Sequence, residues 1–246
     1  MGESSYVIGI KIEGDESQEI LEQSQETYIN KVLERFHMKN CSPSIALIIK
    51  GGKFSLSQCL SNDLKNNMKN ISYASIVGSL MYVQVCTRLD ITYAVRMLGR
   101  YQSNSSLKQW RAAKKVMQYL QKTRDYKLTY RRYDHLDMIG YSNSNFANCF
   151  DFRKSTSKYV FLLVEGVISW RSVKQTLVAS STMEVEFVSC FEATSNAIWL
   201  RSFILGLQVV DSISKPLRIY CDNFVEVFLA KNNKSGSHSK HINIKY

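Results

Sequence analysis

The chain has 246 residues, 45% of them hydrophobic and 22% charged, enough apolar surface for one large or two modest globular domains and too much for a disordered tract. Two prolines and eleven glycines exclude a collagen-like or proline-rich spacer, and no apolar run reaches the roughly 18–20 residues of a membrane span. Basic residues outnumber acidic ones 32 to 21, a net charge of +11 that suits a polyanionic partner.

In chain order, Tyr6 to Ile12 reads as a strand that turns at Gly14-Asp15 and returns over Glu19 to Gln23. A helix is predicted from about Gln25 to His37, with Ser24 as its N-cap and Tyr28, Val32, Leu33 and Phe36 on its apolar face. Residues 40–68 are rich in turn chemistry (Cys41-Ser42-Pro43, Gly51-Gly52, Asn66-Asn67). Helical periodicity resumes over Tyr73 to Cys86, Asp90 to Gln102 and Leu107 to Thr123. In this region Arg96, Arg100, Lys108, Arg111, Lys114, Lys115, Lys122, Arg124, Lys127, Arg131 and Arg132 face a single acid, Asp125. Such a block fits nucleic acid about as readily as it fits a solvated helix face.

The pattern changes near Tyr126. Strand-like runs occupy Lys127 to Tyr130, Leu136 to Ser142, Lys158 to Val164 and Val167 to Trp170, with a fainter one at Thr176 to Ala179. A long helix follows from about Thr182 to Leu207, opened by the capping box Ser181 and Glu184. A strand over Leu217 to Cys221 and a helix over Phe224 to Ala230 complete the series, an α/β layer arrangement with a boundary near residue 125.

Two carboxylates stand out within it. Glu186 heads a helical stripe with Cys190, Ala193 and Ala197, small residues that let a helix lie close to a sheet, whereas Glu184 should face solvent. Asp222 ends the Leu217 to Cys221 strand, the usual side for ligand sites in α/β sheets. Each also has a plain structural explanation, Glu186 as a helix-start acid and Asp222 as an N-cap.

The first residues, MGESSYVIGI, lack a basic n-region and a long apolar core, and Tyr6 breaks the myristoylation pattern, so an intracellular chain, cytoplasmic or nuclear, is expected. Six scattered cysteines without a CxxC pair, and four histidines without metal-ligand spacing, argue against zinc and for buried thiols.

A series of blocks carries a family resemblance: Tyr73 to Tyr82 (YASIVGSLMY), Cys86 to Ala94 (CTRLDITYA), Arg153 to Ser157 (RKSTS), Ile168 to Trp170 with Lys174-Gln175, Ser180 to Phe187 (SSTMEVEF), Ile219 to Asn223 (IYCDN) and Ser239 to Tyr246 (SKHINIKY). In order and spacing they resemble the end of a copia-type LTR retrotransposon Pol polyprotein. The resemblance implies a mainly helical remnant of the reverse-transcriptase thumb and connection over residues 1–125. It implies an RNase H-like domain, a mixed sheet flanked by helices, over residues 126–246, truncated at its C-terminus. The polymerase's own paired aspartates are absent, so DNA synthesis is not expected. The upstream palm of an intact polyprotein would be a partner.

By the same resemblance the second part would cut RNA in an RNA–DNA hybrid, using two Mg²⁺ (or Mn²⁺) ions about 4 Å apart for an in-line phosphodiester displacement. Catalytic positions carried over are Asn143, Glu186, Asp222 and Asn243, with Glu186 and Asp222 as metal ligands. Arg153, Lys154, Ser155, Thr156, Lys174, Gln175, Lys240 and His241 are the expected nucleic-acid contacts, with Arg153 to Thr156 as a basic, hydroxyl-rich turn. The chain departs from the family pattern where charge matters. Tyr141 to Ala147 reads YSNSNFA where the family has YSD-x-D, and Asn243 stands where it has Asp. Lys158 and Asn148 fall at positions usually glycine. Asn keeps the shape of Asp and loses its charge, so impaired metal binding and weak or absent cleavage are expected. The alternatives are a non-catalytic nucleic-acid-binding protein of retroelement origin and a translated pseudogene.

Overall fold

A computed structural model of the chain describes residues 5–45, 47, 73–103, 105–133, 136–149, 153–207 and 218–221. Among them the architecture is mixed α/β, with two four-stranded sheets and five α-helices. The chain forms two compact units, Met1–His135 with Leu163–Ser172, and Leu136–Leu162 with Val173–Tyr246. The sequence reading drew its boundary at 125/126; the strand just beyond that point pairs within the first sheet.

The first sheet runs β1 (Tyr6–Val7), β2 (Ile10–Asp15), β3 (Ile20–Ser24), β4 (Lys127–Arg131), each antiparallel to the next. The single strand expected over Tyr6 to Ile12 is instead a tight hairpin. Ile8 and Gly9 both take positive φ, 50° and 73°, which matches the twist of a two-residue turn between paired Val7 and Ile10. A β-branched residue is strained there. The carbonyl of Ile8 is held by the Tyr82 hydroxyl. The next turn lies one step later than expected. Gly14 is still paired, opposite Leu21, and Asp15 Oδ1 accepts from the N–H groups of Ser17 (2.9 Å) and Gln18 (3.2 Å).

Four helices complete this unit: α1 (Glu26–Arg35), α2 (Tyr73–Cys86), α3 (Thr92–Gly99), entered through a 3₁₀ turn at Leu89–Ile91, and α4 (Leu107–Lys122). Ser24 accepts from the N–H of Glu26 at 3.2 Å, so it caps α1 from just outside its geometric start. At α4, Ser106 and Gln109 make a reciprocal capping box. The apolar faces meet in one core: Ile29 and Leu33 from α1, Ile76 and Leu80 from α2, Leu98 from α3, and Met117 and Leu120 from α4 are all 1% exposed or less. Each such side chain contributes roughly 1.5–3 kcal/mol by leaving water.

The second sheet has the order β7 (Gly166–Lys174), β6 (Lys154–Leu163), β5 (Met138–Cys149), β8 (Arg218–Cys221). A two-residue connection, with Val164 at φ 57°, folds β6 back into β7 as an antiparallel hairpin. β8 pairs parallel to β5, in the register Ile139↔Arg218 to Ser142↔Cys221. Gly140 is required here. A Cβ on it would sit 2.6 Å from a ring carbon of fully buried Phe161. The faint strand expected over Thr176 to Ala179 does not form; that segment leads into helix α5 (Thr182–Gly206). Ser181 caps α5 through the N–H of Glu184 (3.2 Å), while the Glu184 carboxylate reaches back to the N–H and hydroxyl of Ser180 at 2.8 and 2.9 Å. The expected box is therefore present with its return arm shifted by one residue, and Glu184 is a capping group. The helix expected over Phe224 to Ala230 lies outside the described residues.

Candidate functional site

Helix α5 packs on β5, and part of the contact is polar. The hydroxyls of Ser142 and Ser189 lie 3.0 Å apart, and Ser189 Oγ also donates to the backbone carbonyl of Asn143 at 2.9 Å. Both serines are buried, so their hydroxyls satisfy one another where water cannot. The buried spine of the helix is Val185, Ser189, Ala193, Ala197 and Leu200, not the stripe through Glu186 and Cys190. Ala193 and Ala197 of the expected stripe are buried, and in its first half Val185 and Ser189 take the buried positions in place of Glu186 and Cys190. Glu186 is consequently half-buried on the flank.

On the other side of β5, Tyr141 stacks on Tyr220 of β8, ring centroids 5.3 Å apart, across the parallel register. The described register runs to Ser142↔Cys221. Asn143 itself is exposed. Asp222, Lys240, His241 and Asn243 lie outside the described residues.

The RKSTS segment is a strand and not a turn. Ser155, Thr156 and Ser157 in β6 are buried, at 0, 2 and 0% exposure. Gln175 is buried with them: its side-chain amide donates to Ser157 Oγ (3.0 Å) and to the carbonyl of Val185 (2.8 Å), and its backbone N–H donates to the carbonyl of Ser155 (2.9 Å). These side chains tie the β6–β7 hairpin to the first turn of α5. The expectation that Ser155, Thr156 and Gln175 meet phosphate is corrected on that ground: their polar groups face the interior. Arg153 and Lys174 are exposed, and Lys154 is half-buried.

Lys158 is the residue whose role only the structure reveals. Its ammonium donates to Asn145 Oδ1 at 3.1 Å, and burial pulls its pKa below the ordinary lysine value. The charge signal was in the sequence, as a lysine in a run of hydroxyl and aromatic residues, but nothing local says which strand it meets.

Of the two carboxylates expected to hold metal, Glu186 is among the described residues and Asp222 is not. Along this part of β5 the described groups include the carboxamides of Asn143 and Asn145 and an ammonium already on Asn145. Two Mg²⁺ need several converging carboxylates. Among the described residues no three His, Cys, Asp or Glu side chains come together in a way that could hold a metal ion.

In the first unit the basic block is partly neutralised by acids distant in sequence. Lys127 meets Glu22 (2.6 Å) and Glu13 (3.3 Å), Arg132 meets Glu19 (3.6 Å), and Arg124 lies 4.0 Å from Glu26. Lys108, Arg111, Lys114 and Lys122 remain exposed along α4, Lys114 lying 5.0 Å over the ring of Trp110. The positive surface is therefore narrower than the sequence block.

The chain is 36% identical over its whole length to the retrovirus-related Pol polyprotein from transposon TNT 1-94 of Nicotiana tabacum, covering 18% of that protein. It is 32% identical over 98% of its length to the Pol polyprotein from transposon RE2 of Arabidopsis thaliana, covering 16% of it. The chain belongs with the copia-type retrovirus-related Pol polyproteins. It spans less than a fifth of the length of these Pol relatives. Over 54% of its length it is also 43% identical to secreted RxLR effector protein 161 of Plasmopara viticola, covering 94% of that protein. No family model matches the chain, and no solved structure matches it.

Proposed function

We propose that the copia-type Pol chain carries, in its second unit, an RNase H-like domain that binds RNA–DNA hybrids and cleaves them weakly or not at all. The observation that supports this reading is the adjacency of three elements. Strand β5 pairs in parallel with β8 and carries helix α5 across it at Ser142 and Ser189. These are the strand, later strand and long helix from which an RNase H site draws its acidic groups. Within the second unit the exposed cations Arg153 and Lys174 supply phosphate contacts, and the α4 row of the first unit is a separate basic surface.

Loss of cleavage follows from the donor set. A carboxamide offers a neutral oxygen where the reaction needs formal negative charge, and each charge-assisted ligand lost removes several kcal/mol of transition-state stabilisation. At about 1.4 kcal/mol per tenfold, two such losses exceed a thousandfold in rate.

The test is a gel assay of a labelled RNA–DNA hybrid with Mg²⁺. The unmodified chain should shift the hybrid at low salt and leave it uncut, and Asn143→Asp with Asn243→Asp should raise cleavage by at least a hundredfold. Robust cutting by the unmodified chain would refute the reading.

A further inference from the structure

Lys158 sits on β6 between residues that are fixed on both sides. Ser157 is tied to Gln175, and Tyr159 and Phe161 are buried at 5 and 0% exposure. The strand backbone is therefore held, and the half-buried ammonium is directed to β5, where it donates to Asn145 Oδ1 at 3.1 Å. The neighbouring position on the same strand face is Asn143, since residues two apart on a strand project to the same side. A positive charge is thus built into the strand pair that would otherwise have to recruit one. An ammonium at the half-buried Asn145 oxygen repels a divalent ion there, because screening by water is reduced. It also occupies a lone pair that the ion would need. At the same time it is a compact point charge of the kind that holds a phosphate oxygen.

From this geometry we propose that Lys158 is a resident cation standing in place of a divalent metal beside Asn145, so that phosphodiester contact at this strand pair is metal-independent and Mg²⁺ or Mn²⁺ is disfavoured. The proposal deepens the hybrid-binding reading and rests on it for its ligand. Its metal arm can be judged separately.

Two measurements on the full chain decide it. Mn²⁺ binding is followed by the loss of the free-ion EPR signal for the unmodified chain, for Asn143→Asp with Asn145→Asp, and for that pair combined with Lys158→Met. Removing the ammonium from the aspartate background should tighten Mn²⁺ at least tenfold, and the unmodified chain should bind none at millimolar metal. Hybrid affinity is then measured against salt, with and without EDTA. The unmodified chain should be indifferent to EDTA, Lys158→Met should lower the salt slope by about one, and Lys158→Arg should restore it. Lys158→Gln serves as the neutral variant should methionine disturb folding. Equal Mn²⁺ affinity with and without Lys158, or an unchanged salt slope in both neutral variants, overturns the proposal. If no variant binds hybrid, the hybrid-binding reading and the phosphate arm fall together, and the Mn²⁺ comparison alone decides whether Lys158 opposes metal.

Discussion

Gln175 shows how a polar residue in a family block can be structural. Its amide bridges Ser157 of β6 and the carbonyl of Val185 in α5, inside a region closed to water. Each such bond contributes about 1 kcal/mol net, and a buried acceptor left alone costs more. Gln175→Met is expected to lower stability by about 1–3 kcal/mol in a urea melt while leaving hybrid affinity per folded molecule unchanged. A selective loss of affinity without loss of stability would return Gln175 to the interface. Lys158 is the counterpart. Its residue type reads as a surface cation, and the fold makes it a half-buried one whose ammonium meets Asn145.

Between α2 and α3 the CTRLDITYA block closes on itself. The Arg88 guanidinium, 2% exposed, grips Asp90 with two bonds, 3.0 and 2.7 Å, and reaches the carbonyl and hydroxyl of Thr123 at the end of α4, 2.8 and 2.6 Å. Tyr119 donates to the same carboxylate at 2.8 Å, and the rings of Tyr119 and Tyr126 lie 5.6 and 5.3 Å from the guanidinium carbon. One loop thereby pins three helices. Burial pushes the Asp90 carboxyl up, but Arg88 and Tyr119 outweigh it and hold it below the ordinary aspartate value. A depressed pKa stabilises the fold above the unfolded value, about 4, and that contribution disappears as pH falls through the folded value. Arg88→Met should cost about 1–3 kcal/mol, chiefly by leaving the carbonyl and hydroxyl of Thr123 without their buried donor. Asp90→Asn should be less stable at neutral pH and lose less stability on acidification than the parent. Acid titration of the circular dichroism signal checks both, and parallel curves for parent and Asp90→Asn would discount the ion pair.

For the molecule as a whole, the count of 32 basic residues overstates the surface available to a polyanion. Lys127, Arg132 and Arg124 are engaged by Glu13, Glu22, Glu19 and Glu26 of the N-terminal hairpin and helix, whereas Lys108 and Arg111 stand exposed on α4. The affinity for hybrid should therefore fall steeply with salt. Lys108→Ala with Arg111→Ala should reduce the slope by about one to two, and Lys127→Ala should leave it unchanged. A flat salt dependence in the parent would remove the electrostatic basis of the binding reading. The sequence by itself determined the helices and most strands, because their hydrophobic period and caps are local, and it carried the family, because that is written in ordered blocks. It also carries asparagine at residues 143 and 243, where the motif of the resembled family has aspartate. Only the tertiary structure decided which cations are paired with acids, that the RKSTS hydroxyls and Gln175 face inward, that Ser189 meets the strand, and that Lys158 reaches Asn145. Each of these depends on which distant segments pair and in what register, and a strand's register is set by contacts across the sheet that no local pattern encodes.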